Sequence, residues 1–333
     1  MNTHVADTAA GDRLKSTTAP AAIGPVRTLQ TLVRREFWEH PWLWRAPLVM
    51  GGLLVAVILF AIFVRLRSHV IINDTQHHGI WDLAQMPASS KVALLTLSQW
   101  GLSVPLYLVT GVVLSFYLLD CLYAERKDRS ILFWKSLPVS DGLTVASKAI
   151  VALVAVPLIL FLTAIGFDLV CLIIWQLQAA LGTAPAVFAW DTMAWLRTEL
   201  LLLLCLVLAI LWYAPIAALF LVVSAWVRRG PIVWVIVPLL FALIVEGIFS
   251  SIVGLPRYLN QFVGYRLLGI WGELDLNQVK FLFSHDQIRP LDSLLGTLNW
   301  TGAFANVNLW LGVIAAGALM YAAVRIRRYR DET

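Results

Sequence analysis

Six long apolar segments constrain this chain more than any other feature, at about 46–64, 99–122, 149–175, 199–227, 231–253 and 306–324. By these bounds each runs 19 to 29 residues, and a bilayer core needs about 17–25 helical residues to be crossed. The longer segments are expected to tilt or to project into water. No hydrophilic stretch between them is long enough for a separate soluble domain. The fold class expected is an all-α integral membrane protein of six transmembrane helices.

Composition agrees. The 333 residues are 60% hydrophobic and 14% charged, with a mean hydropathy of +0.79. A soluble domain carries about 25% charged residues. Burying this much apolar side chain in water would leave large exposed patches. A soluble globular protein, a disordered chain and a nucleic-acid-binding domain are thereby excluded. The net charge of +5 belongs to topology and anionic lipid, because the basic residues flank apolar runs. Cys121, Cys171 and Cys205 sit in or beside those runs with no CxxC pair, as small packing residues do.

The distribution of Lys and Arg sets an expected orientation. Seventeen lie in the N-terminal segment through Arg45, the loop after span two, the turn after span four and the C-terminal tail; eight lie on the other side. The positive-inside rule then places both termini in the cytosol, and an even number of spans requires them to share a side.

Residues 1–27 read as a flexible cytosolic tail. Residues 28–40 read as an amphipathic helix, with Leu29, Leu32, Val33 and Phe37 on one stripe, Arg34, Arg35 and Glu39 off it, and Pro41 ending the pattern. Such a helix lies along a membrane surface, where Trp38, Trp42 and Trp44 suit headgroup depth.

The loop Tyr123 to Lys148 is the richest in chemistry. It opens on Glu125, Arg126, Lys127, Asp128 and Arg129, continues through Ile131, Leu132, Phe133 and Trp134, and breaks at Leu137-Pro138. Ser140 or Asp141 can cap the helix that follows. Charged and aromatic handles on one short element suit docking of a cytosolic protein, with salt bridges giving register and an aromatic ring filling a pocket. A solvated, topology-setting loop explains the same residues about as well.

The chain resembles the permease subunit of type 2 ABC transporters. The resemblance rests on REFWEHPW in the first helix, the six spans, ERKDRSILFWKSLPVS in the loop after span two, and the long loop before the last span. It implies a permease domain over 28–333, with an elbow helix over 28–40 and a coupling helix over about Glu125–Leu137. Glu125, Arg126, Asp128, Arg129, Phe133, Trp134 and Leu137 would contact a cytosolic ATPase. Arg34, Arg35 and Glu36, with Phe37 and Trp38 on the same helix, would add to that contact, and Asp120 would join the charge network.

The resemblance further implies a pathway formed with a second copy or a related permease, in the bacterial cytoplasmic membrane. ATP and Mg would be held by the partner ATPase. The chain itself has no G-x-x-x-x-G-K-[ST] phosphate cradle and no LSGGQ-like signature, so no ATPase site and no cofactor is expected on it. Departures are a short loop over about 65–98, where some relatives carry a large external domain, and a loop over 254–305 that would supply re-entrant helices.

Asp168 in span three and Glu246 in span five are embedded in apolar sequence, in the outer half of the membrane by their distance from the span starts. A charged acid there needs partners or water. Two readings stand: both line the pathway or outer gate, or each reaches the interface or pairs with Arg257 or Arg266. His69, His77 and His78 lie near Asp74 and Asp82 without metal-ligand spacing, so no metal site is expected. Pro105, Pro157, Pro215 and Pro238 interrupt spans, as kinks that serve either gating or packing. A secondary transporter would show inverted repeats, and none is visible. A membrane anchor or sensor is the remaining alternative. The abundant Trp, Phe and Leu select no substrate, since any membrane bundle requires them.

Overall fold

The computed structural model describes residues 24–71, 88–130, 139–181, 192–273 and 300–329; among these the chain is helical, with no strand. The elements are α1 (Pro25–Glu39), α2 (Trp42–Ile71), α3 (Ala88–Lys127), α4 (Asp141–Ile150), α5 (Val156–Ala180), α6 (Thr192–Trp226), α7 (Pro231–Val253), α8 (Tyr258–Glu273), α9 (Trp300–Ala305) and α10 (Val307–Tyr329). Among them run six stretches long and apolar enough to cross a membrane: Trp42–Val64, Gly101–Lys127, Asp141–Gln178, Trp195–Trp226, Pro231–Val253 and Val307–Tyr329. Number and order agree with the sequence reading, and the architecture is consistent with a multi-pass membrane protein. The second and third stretches reach beyond the apolar runs at the end where the charged residues lie. A helix that leaves the hydrocarbon can continue into water with charged side chains on it.

The first helix follows its sequence pattern. Pro25 occupies the first turn, where a missing N–H costs nothing. Leu32 and Glu36 are buried, Val33 and Phe37 pack on the main core, and Trp38 is exposed. The helix stops at His40-Pro41, and α2 begins at once with Leu43 buried.

Helix α4 runs into α5 through one wide turn, Val151–Ala155, in which the Val156 N–H reaches back five residues to Val151 O. The cause is Pro157. It has no N–H for the Leu153 carbonyl, and its ring would collide with a regular preceding turn.

The most extensive packing joins α6 to α10, where Ala214 and Ala218 meet Ala316. Small residues let two membrane helices approach closely when no hydrophobic gradient drives them together. The main core gathers Leu43, Tyr117, Leu122, Val145, Leu221 and Ala323, from α2, α3, α4, α6 and α10. Helix α7 is peripheral: none of its apolar window is buried. At its end Gly254 adopts a left-handed φ of 73°, and the chain turns into α8. Helix α8 folds back against α6, where Trp212 Nε1 donates to Arg266 O at 2.9 Å and Tyr213 OH to Leu267 O at 2.8 Å.

Candidate functional site

Five helices meet at one end of the bundle around a buried ion-pair knot. Its centre is Lys148, from the last turn of α4, whose side chain is 1% exposed. Its ammonium lies 2.9 Å from Glu36 Oε1 of α1 and 3.0 Å from Glu125 Oε1 of α3. The second contact is off the hydrogen-bond line, so it acts as charge attraction. Glu36 accepts a further bond from Tyr117 OH at 2.9 Å. The other oxygen of Glu125 takes a bond from Arg327 Nη1 of α10, and Arg327 Nε donates to Asp141 Oδ1 at 3.1 Å.

Helix α6 joins through a neighbouring set. Ser224 Oγ accepts from the Leu122 and Tyr123 backbone N–H groups, and Arg126 donates to the Ser224 and Val227 carbonyls. Those carbonyls belong to the unsatisfied C-terminal end of α6, and a guanidinium is well suited to close it.

Local sequence explains how each side chain arrives there. Glu36 is one helical turn from Leu32, on the buried stripe rather than the wet face. Arg327 sits four residues after Ala323 on the buried stripe of α10. Ser140 caps α4 by accepting from Leu143 N at 3.2 Å, which leaves Asp141 free to meet Arg327. Burying the Glu36 and Glu125 carboxylates and the Lys148 and Arg327 cations is costly unless each is paired, and here each is paired, with the half-buried Asp141 completing the set.

The residues singled out for docking divide into groups. Glu125 is buried in the knot and Arg126 is half-buried beside it, while Asp128 and Arg129 are exposed. Phe133, Trp134 and Leu137 lie outside the described residues. On α1, Arg34 is exposed and stacks over Trp38, and Arg35 pairs with Glu39. Glu36 does not join them on the outer face; it turns inward, because its position continues the apolar stripe. Asp120 is not in the knot. It is exposed and lines a cavity of about 410 Å³ with His40, Trp42, Phe116, Tyr117 and Ile232. Burial pushes the His40 imidazole below its ordinary pKa, against the pull of Glu36. Glu36, Glu39 and His40 come close enough to hold a metal ion, but both carboxylates are already engaged, by Lys148 and Tyr117 and by Arg35.

The two embedded acids part company. Glu246 accepts from the Leu259 and Asn260 backbone N–H groups, so its carboxylate caps the first turn of α8. It pairs with neither Arg257 nor Arg266. Asp168 is fully buried and meets Glu199 of α6, which is 6% exposed. Sequence reading missed Lys148, Arg327, Tyr117 and Glu199 as site residues. The available signal was a charged residue on the inner stripe of a helix, which requires a buried partner. The side chains of His69, His77 and His78 lie outside the described residues.

No protein-family model, no curated protein and no solved structure matches the chain.

Proposed function

We propose that this chain is the membrane subunit of an ATP-driven exporter, working with a separate cytosolic ATPase that docks on the loop after the second span. The knot carries this reading. Glu125 stands where that loop leaves α3, Asp141 where it enters α4 and Lys148 in the last turn of that helix, and the same ion pairs reach α1 and α10. A force applied to residues 128–140 would therefore be shared by four helices rather than absorbed in one flexible loop. Interfaces of packed, paired groups switch between discrete arrangements, as a transporter needs. The exposed Asp128 and Arg129 begin the surface offered to the ATPase, Arg34 and Trp38 add to it from α1, and the docking role of Phe133 and Trp134 rests on the sequence. Helix α8, folded back from Gly254 onto α6, is the element expected to close the far end of the pathway. Helix α7, with its apolar window unburied, is free to meet lipid or a second permease copy.

An ion-coupled secondary transporter is the second reading, favoured by the buried Asp168–Glu199 pair. The two readings separate in one experiment. The tagged chain is purified in mild detergent from its native cells, and bound proteins are identified by mass spectrometry and assayed for ATP hydrolysis. The exporter reading predicts a stoichiometric ATPase with a phosphate-binding P-loop, lost when Phe133 and Trp134 are both changed to Ala. An intact chain without ATPase, carrying out gradient-driven transport in liposomes, overturns it in favour of the second.

A further inference from the structure

Far from the knot, two carboxyl groups face each other. Asp168 is 20 residues beyond Lys148, about 30 Å along the helix axis, at the opposite end of the bundle. Its carboxyl comes within hydrogen-bonding reach of Glu199, yet neither Asp168 oxygen and neither Glu199 oxygen has a donor. Two ionised carboxylates are both acceptors and cannot bond to each other. Left so, each would be a buried, unpaired charge beside a like charge, an arrangement that costs several kcal/mol per ion. No lysine or arginine among the described residues makes a salt bridge to either acid.

Helix α3 adds an independent observation. Tyr107 OH is buried without a partner and lies within electrostatic reach of both acids. One turn away on the same face, Ser103 is 1% exposed and its Oγ is also unpartnered. Asp168, Glu199 and Tyr107, from three helices, thus leave their oxygens unsatisfied within reach of one another. Cys171, one turn beyond Asp168, and Cys205, near Tyr107, are the other titratable groups facing them. Buried polar oxygens are nearly always bonded, so such a cluster marks a missing occupant.

We propose that Asp168 and Glu199 form a proton-binding site in which one proton is shared between the two carboxyl groups. The proton converts one acid into a donor, so that Asp168 and Glu199 bond directly. One negative charge then remains where two stood, within electrostatic reach of the Tyr107 hydroxyl. Sharing of one proton is the ordinary solution for two carboxyls held this close, and the pair titrates as a unit. Carboxyl groups already within reach of each other leave little room for a hydrated metal ion. The inference is independent of whether an ATPase docks at the other end.

The test is infrared spectroscopy of the full chain in lipid nanodiscs at neutral pH, in H₂O and D₂O, with choline, sodium or potassium chloride. The expected result is a protonated-carboxyl C=O band that shifts in D₂O and is the same in all three salts. It should disappear in Asp168→Asn and in Glu199→Gln, because the new amide donates to the remaining acid, which can then ionise. These near-isosteric variants keep the bond, and circular dichroism confirms that they fold. Absence of the band in the wild type overturns the proposal. So does a band that survives in both variants. Loss of the band in sodium or potassium alone also overturns it, assigning the site to a metal cation.

Discussion

Lys148 Nζ lies 2.9 Å from Glu36 Oε1 across 112 residues of sequence, with both side chains 1% exposed. The pair pins the first helix to the start of the third span. Lys148→Met would leave Glu36 and Glu125 buried with their shared cation gone. A broken buried pair costs about 3–5 kcal/mol. The Arg35–Glu39 pair on the same helix is partly exposed, and Glu39→Gln should cost no more than about 0.5 kcal/mol. Thermal unfolding of the two purified variants in one detergent should rank them in that order. Equal losses would mean that the knot carries no stability.

His40 predicts a pH dependence. Burial lowers its pKa from the ordinary 6.5, so the folded chain holds the ring neutral where the unfolded chain is already binding a proton. Stability is complete above about 6.5 and falls as the pH drops from there towards the folded value. The slope is at most about 1.4 kcal/mol per pH unit for one proton. His40→Phe keeps an aromatic ring in the edge-on contact with Tyr117, whose centroid is 5.0 Å away. Acids titrate in both proteins, so the measurement is the difference between them. Wild type should lose stability faster than the variant between pH 6.5 and 5, and parallel curves would refute it.

The six spans are legible in the sequence because a bilayer imposes one length and one polarity on whatever crosses it. The α1 stripe is legible because a surface helix must separate its faces. The knot is different. Glu36, Glu125, Lys148 and Arg327 find each other only through the packing of separate helices, and no local spacing encodes that. Traces exist: Glu36 one turn from Leu32, and Arg327 one turn from Ala323, are charges on inner stripes. For Glu246 the sequence left open a pathway role, a place at the outer interface or an arginine partner. A carboxylate set in apolar sequence is satisfied equally well by the free N–H groups that open a helix, and the half-buried Glu246 finds those of α8 once Gly254 reverses the chain.

That capping role carries its own prediction. Glu246→Ala removes acceptors from Leu259 and Asn260 at the start of α8. A helix cap contributes about 1 kcal/mol, roughly fivefold in local opening. Hydrogen exchange at the first turn of α8 should therefore quicken about fivefold, while the amides of α10 stay unchanged. If exchange at Leu259 and Asn260 is unaltered, the carboxylate has another task.

Glu125→Gln separates holding from transmitting. The substitution keeps the side chain's size and an acceptor for Arg327, but removes the charge that faces both Lys148 and Arg327. If the chain works with a cytosolic ATPase as proposed, Phe133, Trp134 and the exposed Asp128 and Arg129 are untouched by the substitution, and capture of that ATPase should be as efficient as in the wild type. The join between the loop and the other helices is weakened, since hydrogen bonds to charged groups contribute about 1.5–3 kcal/mol. Transport per ATP hydrolysed should then fall roughly tenfold or more in reconstituted vesicles. Lost capture would place Glu125 in the docking surface instead. Normal capture with normal transport would mean that the force of the ATPase reaches the spans by a route that does not pass through the knot.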